Sequence, residues 1–271
     1  MSHELTYIKS KGKCIYCGNS NTKLTNEHIV PESLGGFHII KEASCSSCQT
    51  ITSKFERNVT RGLWGDARQS FNSPTKRPKK RKAFIETTIL RGVTKIQIPN
   101  AEYPAGFVFY RMNTPGILQG SSTNKDISSL WTMCIVDDEK RKEDFFKKYG
   151  SYPTLKFKNV PQDFGRILLK IGYGHLLTFL EPEDFNPICL PYILGKEKNV
   201  SYLVGEGRKN IIPDLAIGYS LNAKGYIISK NRLLLIAMIR LYANTHSPEY
   251  EVVIGDVIGL EKITEVLKKV T

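Results

Sequence analysis

"CIYCGNSNTKLTNEHIVPESLGGFHIIKEASCSSCQ", residues 14–49, decides how the N-terminal part of the chain folds. Two C-x-x-C pairs, Cys14 with Cys17 and Cys45 with Cys48, bracket a spacer of 27 residues. In a reducing compartment such pairs read as metal ligands rather than disulfides. Four thiolates close one tetrahedral zinc site and leave no position open for water, so this metal is expected to be structural. Within the spacer, Glu27 to Val30 is short and β-compatible, Pro31 stops regular pairing, and Gly35 and Gly36 supply a turn. Phe37 to Ile40 then returns as a second strand, and the zinc clamps the ends of a hairpin. After Cys48, Ile51, Phe55, Val59 and Leu63 recur at four-residue steps, the stripe of a helix packed on that hairpin. The unit reads as β-β-α with zinc at its base.

Working outward, 271 residues suit one small and one medium domain, and a composition of 41% hydrophobic and 24% charged residues is that of a globular chain. Residues 1–72 hold all four paired cysteines and few long apolar runs, as expected of a small domain that replaces core with metal. "SPTKRPKKRK", residues 73–82, carries six basic residues, two prolines and no acid, and reads as a linker. Residues 83–271 form the larger domain. Nine basic and six acidic residues lie before the linker, 24 and 20 after it, so the excess behind the net charge of +13 gathers where the domains meet. Such an excess favours a polyanion, nucleic acid first, because neutralised phosphates release counterions. "MSHELTYIKSKGK" has no apolar core, and no apolar run approaches spanning length, so a soluble, cytoplasmic protein is expected. Cys134 and Cys189 stand alone in apolar surroundings and read as buried structural thiols.

Beyond the linker the pattern predicts an α+β fold with a mainly antiparallel sheet. "AFIETTIL" and "VTKIQI" read as strands joined at "RG", followed by "AGFVFYRM" and "SLWTMCIV". "EKRKEDFFKKYG" is a charged helix. "PQDFGRILLKIGYGHLLTFL" is a longer one, with Phe164, Ile167, Leu168, Ile171, His175 and Leu176 near one stripe. "LAIGYSLN", "GYIISK", "RLLLIAMIRLYA" and "EYEVVIGDV" read as further strands, and "LEKITEVLKK" as a closing helix.

C-I-Y-C, then E-H-I-V-P with L-G-G, then C-S-S-C-Q and its helix, in this order and spacing, resemble the HNH endonucleases of the ββα-metal fold, in the branch whose knuckles are two C-x-x-C pairs. The resemblance covers about the first 65 residues. "KIGYGHLLTFL" and "YILG" are also similar to a region that accompanies such modules in some bacterial proteins, and name no activity. The family resemblance implies DNA cleavage by one-metal hydrolysis, leaving 5′-phosphate and 3′-hydroxyl ends, with restriction or phage defence as a setting by analogy. It implies His28 as general base, suited by an imidazole that is available near neutral pH. It implies Glu27 and Gln49 as oxygen ligands of a catalytic Mg²⁺ or other divalent ion, beside the structural Zn²⁺. Where the family carries Asn or His after the second pair, this chain has Gln49. That departure keeps an alternative open: a zinc-stabilised nucleic-acid-binding protein with a degenerate nuclease site. Expected phosphate contacts are His38, Lys54, Arg61, Arg68, Lys76, Arg77, Lys79, Lys80, Arg81 and Lys82. Trp64 reads equally as a cleft-flanking residue or a packed helix end, and His175 as core. A double-strand cut by one-site modules requires two copies, so a homodimer is an inference from chemistry.

Overall fold

The computed structural model describes the chain except residues 1–3, 76–78, 80, 91, 209–210, 214–217 and 271. Its first sheet has three strands, β1 (Thr6–Ile8), β2 (Leu24–His28) and β3 (His38–Cys45), in the order β1-β3-β2. β2 and β3 are the hairpin read from the spacer, each longer and shifted away from the turn, because pairing runs outward to the cysteines. β1 pairs parallel to β3 and was not expected from its three residues. The turn holds a 3-10 segment, Glu32–Leu34, closed by Gly35 at φ +86°, a left-handed conformation that glycine enters without a Cβ clash. α1 (Ser46–Arg57) follows and runs on as a π-helical turn, Asn58–Leu63, with Phe55, Val59 and Leu63 buried at the expected steps. α2 (Gly65–Ser70) ends the segment.

The remainder is α+β, as the pattern predicts. β4 (Phe84–Ile89) and β5 (Thr94–Pro99) form one antiparallel hairpin, and β6 (Phe107–Arg111) pairs antiparallel with β7 (Thr132–Val136). α3 (Glu139–Tyr149) is N-capped by Asp138, whose side chain accepts from the Arg141 amide. After α4 (Pro161–Leu176) and the short α5 (Leu190–Ile193) come β8 (Val204–Glu206), β9 (Tyr219–Ser229), β10 (Arg232–Leu241) and β11 (Tyr250–Ile258), then α6 (Leu260–Val270). These four strands form one antiparallel sheet in the order β8-β11-β10-β9. The two strands expected at "LAIGYSLN" and "GYIISK" are one, because β9 pairs with β10 along its whole length. Cys189 is buried as expected. Cys134 is only half-buried, because the two-stranded β6-β7 sheet leaves one face partly open.

α4 is the centre of the molecule. A single stripe is the expectation from its sequence, yet nearly every residue from Phe164 to Gly174 is buried, because the helix lies between β10 and β11 on one side and α1 on the other. Two glycines permit that approach. A Cβ on Gly172 would lie 2.7 Å from Ile254 Cδ1 and 2.9 Å from Ala237 Cβ, and one on Gly174 would lie 3.3 Å from Ile29. Tyr173 Oη donates to the Ile15 carbonyl (2.8 Å), Asn58 Nδ2 to Asp163 (2.6 Å), and the Arg166 guanidinium covers the Phe55 ring. Trp64, wholly buried, donates from Nε1 to the Val108 carbonyl (2.6 Å) among Phe107, Phe109, Phe164 and Tyr242. Trp64 is therefore the packed helix end of the two expectations. One continuous core runs from Cys14 to Val266.

Candidate metal centre and cleft

The hairpin brings Cys14 and Cys17 against Cys45 and Cys48 at the first turn of α1, and the four Sγ atoms lie within 4.8 Å of one another. Cys17 and Cys45 are 3.7 Å apart, against roughly 3.8 Å for the edge of a tetrahedron with Zn–S bonds of about 2.3 Å. The Cys45 amide also donates to Cys14 Sγ (3.4 Å), the kind of contact that supports a thiolate. Four converging thiols fit a zinc ion by donor type and by spacing.

A cleft of about 520 Å³ opens beside this centre, between the end of β2, the turn after it, and one face of α1. Glu27, His28 and Gln49 all line it. Adjacent strand residues normally face opposite ways, so a shared site needs an irregular backbone. Glu27 and His28 pair in register with Ile40 and Ile39, and they share the cleft because β2 ends at His28; the β2–β3 register shift lies just before them, between Thr25 and Glu27, where Glu42 opposite sits at φ +44°. Asn26 Oδ1 accepts from the Glu42 amide (3.2 Å) and holds the bulge. His28 is half-buried, with Nε2 4.0 Å from Glu32 Oε2. Gln49, Thr52, Ser53, Glu56 and Thr60 follow one another at helical spacing along the cleft wall.

The floor holds a residue that the sequence reading passed over. Lys170 of α4, 1% exposed, places Nζ 2.8 Å from Glu27 Oε1 and 2.8 Å from Glu56 Oε1, and donates to the His28 carbonyl. Burial by itself would lower its pKa, but the two carboxylates outweigh that and raise it above the ordinary lysine value. The signal was available: a lysine inside "RILLKIGYGHLL" is a charge in an apolar helix, and such a charge requires a partner.

The expected phosphate contacts divide. Arg61 is exposed and lines the cleft, joined by Arg57, which the sequence reading did not single out. Arg68 lines it too, but spends three N–H groups on the carbonyls of Ser33 (3.1 Å), Thr60 (3.0 Å) and Pro74 (2.8 Å), and burial lowers its pKa. It clamps the turn and the start of the linker onto α2. Lys54 is exposed on α1, away from the cleft wall. His38 is not brought to the cleft: it lies against Phe37, with Nδ1 3.4 Å from Tyr219 Oη, and burial lowers its pKa. Thr75 reaches the cleft; Lys79 and Lys82 are exposed, and Arg81 donates to Asn72 and the Ser73 carbonyl. Lys76, Arg77 and Lys80 lie outside the described residues. Among the described residues no helix is long and apolar enough to cross a membrane.

No curated protein and no solved structure matches the chain. The segment that carries both cysteine pairs, the hairpin and the helix, residues 14–63, matches the family model described as HNH endonuclease.

Proposed function

We propose that the protein is a metal-dependent DNA endonuclease whose reaction takes place in the cleft beside the cysteine centre. The observation that carries this reading is that Glu27, His28 and Gln49, all from the matched segment, line one cleft. His28 removes a proton from the attacking water. Glu27 and Gln49 offer hard oxygen donors suited to Mg²⁺ or a similar ion, which when bound stabilises charge on the leaving oxygen. Arg57 and Arg61 on the rim bind the flanking phosphates, and the exposed linker lysines extend that contact. The cysteine centre takes zinc and holds the hairpin from which Glu27 and His28 project. In the two-domain reading, residues 83–271 recognise the target or regulate the cut. Two copies acting together give a double-strand break.

The test is cleavage of plasmid DNA in Mg²⁺ or Mn²⁺ by wild type and His28→Ala. The variant is expected to keep zinc and DNA binding and to cleave about a hundredfold to ten-thousandfold more slowly. Equal rates, in preparations free of contaminating nuclease, would reject His28. No cleavage by either would leave a zinc-stabilised nucleic-acid-binding protein with a degenerate site, the reading that Gln49 favours.

A further inference from the structure

A buried ammonium is costly unless opposite charge and acceptors surround it, and Lys170 has both: it donates to the His28 carbonyl and forms ion pairs with Glu27 and Glu56. Two of these acceptors belong to the residues assigned to metal binding and to the base. The third, Glu56, lies two turns along α1 from Gln49 on the same cleft wall. The lysine itself comes from α4, more than a hundred residues beyond the matched segment. Removing a partner from such a cluster leaves charge unbalanced, so the cluster fixes both orientation and net charge at the cleft floor.

Resting on the nuclease reading above, we propose that Lys170 is a positioning residue of the cleavage site. Its ammonium holds the Glu27 carboxylate and the His28 backbone in place, and sets the floor to a net charge of −1 for the incoming divalent ion. Two carboxylates without the ammonium would present −2. Such a floor would bind the ion more tightly but orient it less well. A part played only in packing would change stability without this opposition between metal affinity and rate.

The experiment uses the full, zinc-loaded chain. Mn²⁺ binding is titrated by the electron paramagnetic resonance of the free ion, and single-turnover plasmid cleavage is measured at saturating Mn²⁺, on wild type, Lys170→Met and the double variant Lys170→Met/Glu56→Gln. Lys170→Met is expected to bind Mn²⁺ about tenfold more tightly or better, from the added unit of negative charge nearby. It is expected to cleave about tenfold to a hundredfold more slowly, as a misplaced reacting group does. The double variant restores a net charge of −1, and its Mn²⁺ affinity should return to the wild-type value while cleavage stays slow. Unchanged or weaker Mn²⁺ binding by a folded Lys170→Met overturns the proposal. So does Mn²⁺ binding that appears only when Lys170 is removed, since the ammonium would then be filling the ion's place. Should Lys170→Met fail to fold, the double variant decides: slow cleavage at wild-type affinity supports the proposal, and wild-type cleavage overturns it. If no variant cleaves DNA, the nuclease reading fails, and the Mn²⁺ titration still judges the lysine's effect on the site.

Discussion

His28 and His175 show how one residue type takes its role from its surroundings. His28 ends a strand at the cleft, whereas His175 ends α4 edge-on to the Phe179 ring, and burial with help from nearby His38 lowers its pKa to about 4. A histidine kept neutral by the fold but free to protonate at its ordinary value when unfolded makes the folded state lose stability as pH falls. The contribution is fully present above about 6.5 and is lost progressively towards pH 4. Thermal unfolding across that window should therefore show a smaller loss for His175→Phe than for wild type. A parallel fall in both proteins would assign the acid sensitivity to other groups.

At the scale of elements, α4 and the cysteine centre do most to place the cleft. Gly172 lets the helix lie on β10 and β11, and a methyl there would press on Ala237, which cannot move without its strand. Overpacking of this kind costs about 1–3 kcal/mol. That exceeds the roughly 1 kcal/mol that alanine gains over glycine as a helix former. Gly172→Ala is therefore expected to lower the melting temperature by a few degrees, and an unchanged or higher value would mean the interface has slack. The cysteine centre is expected to act on a different part of the molecule. In small metal modules, binding and folding are one equilibrium. Here α4 meets the module at Ile29 and at the Ile15 carbonyl, but its own place is also held by β10 and β11, so loss of metal is expected to open the module and leave that sheet folded. Cys45→Ser should thus lose zinc by elemental analysis and open residues 14–63 to hydrogen exchange, while β10 and β11 stay protected. Full zinc content in that variant would exclude Cys45 as a ligand.

Across the whole molecule, the basic excess falls between two segments that share one core. The start of the linker reaches the cleft at Thr75, where Arg68 holds the Pro74 carbonyl. Further along the linker Lys79 and Lys82 are exposed, and a nucleic-acid backbone leaving the cleft is expected to meet such charges. Replacing Lys76, Arg77, Lys79, Lys80 and Lys82 by Ser, and sparing Arg81 because it holds Asn72, should flatten the dependence of log affinity on log salt. The change expected is about 0.9 in slope for each phosphate that is no longer neutralised. An unchanged slope would make the segment a hinge only.

The sequence by itself determined the parts whose causes are local. Paired cysteines at a fixed spacing, a proline and two glycines between apolar runs, and a four-residue apolar repeat were enough to place the hairpin, the helix and the cluster of four cysteines. So were the apolar and β-branched runs that read as β4 to β7, β10 and β11. What lay beyond local reading needed contacts across the chain. The three residues of β1 are a strand only because β3 offers an edge. His38 was expected as a phosphate contact, and its strand turns it towards Tyr219 instead. Trp64 and Arg68 went inward because carbonyls of distant segments await them. Lys170 joined the cleft because burial between two carboxylates is the one setting in which an ammonium inside an apolar helix is stable, and those carboxylates lie more than a hundred residues away. Periodicity and spacing report which face of an element is apolar, whereas the partner of a buried charge is fixed only when elements pack.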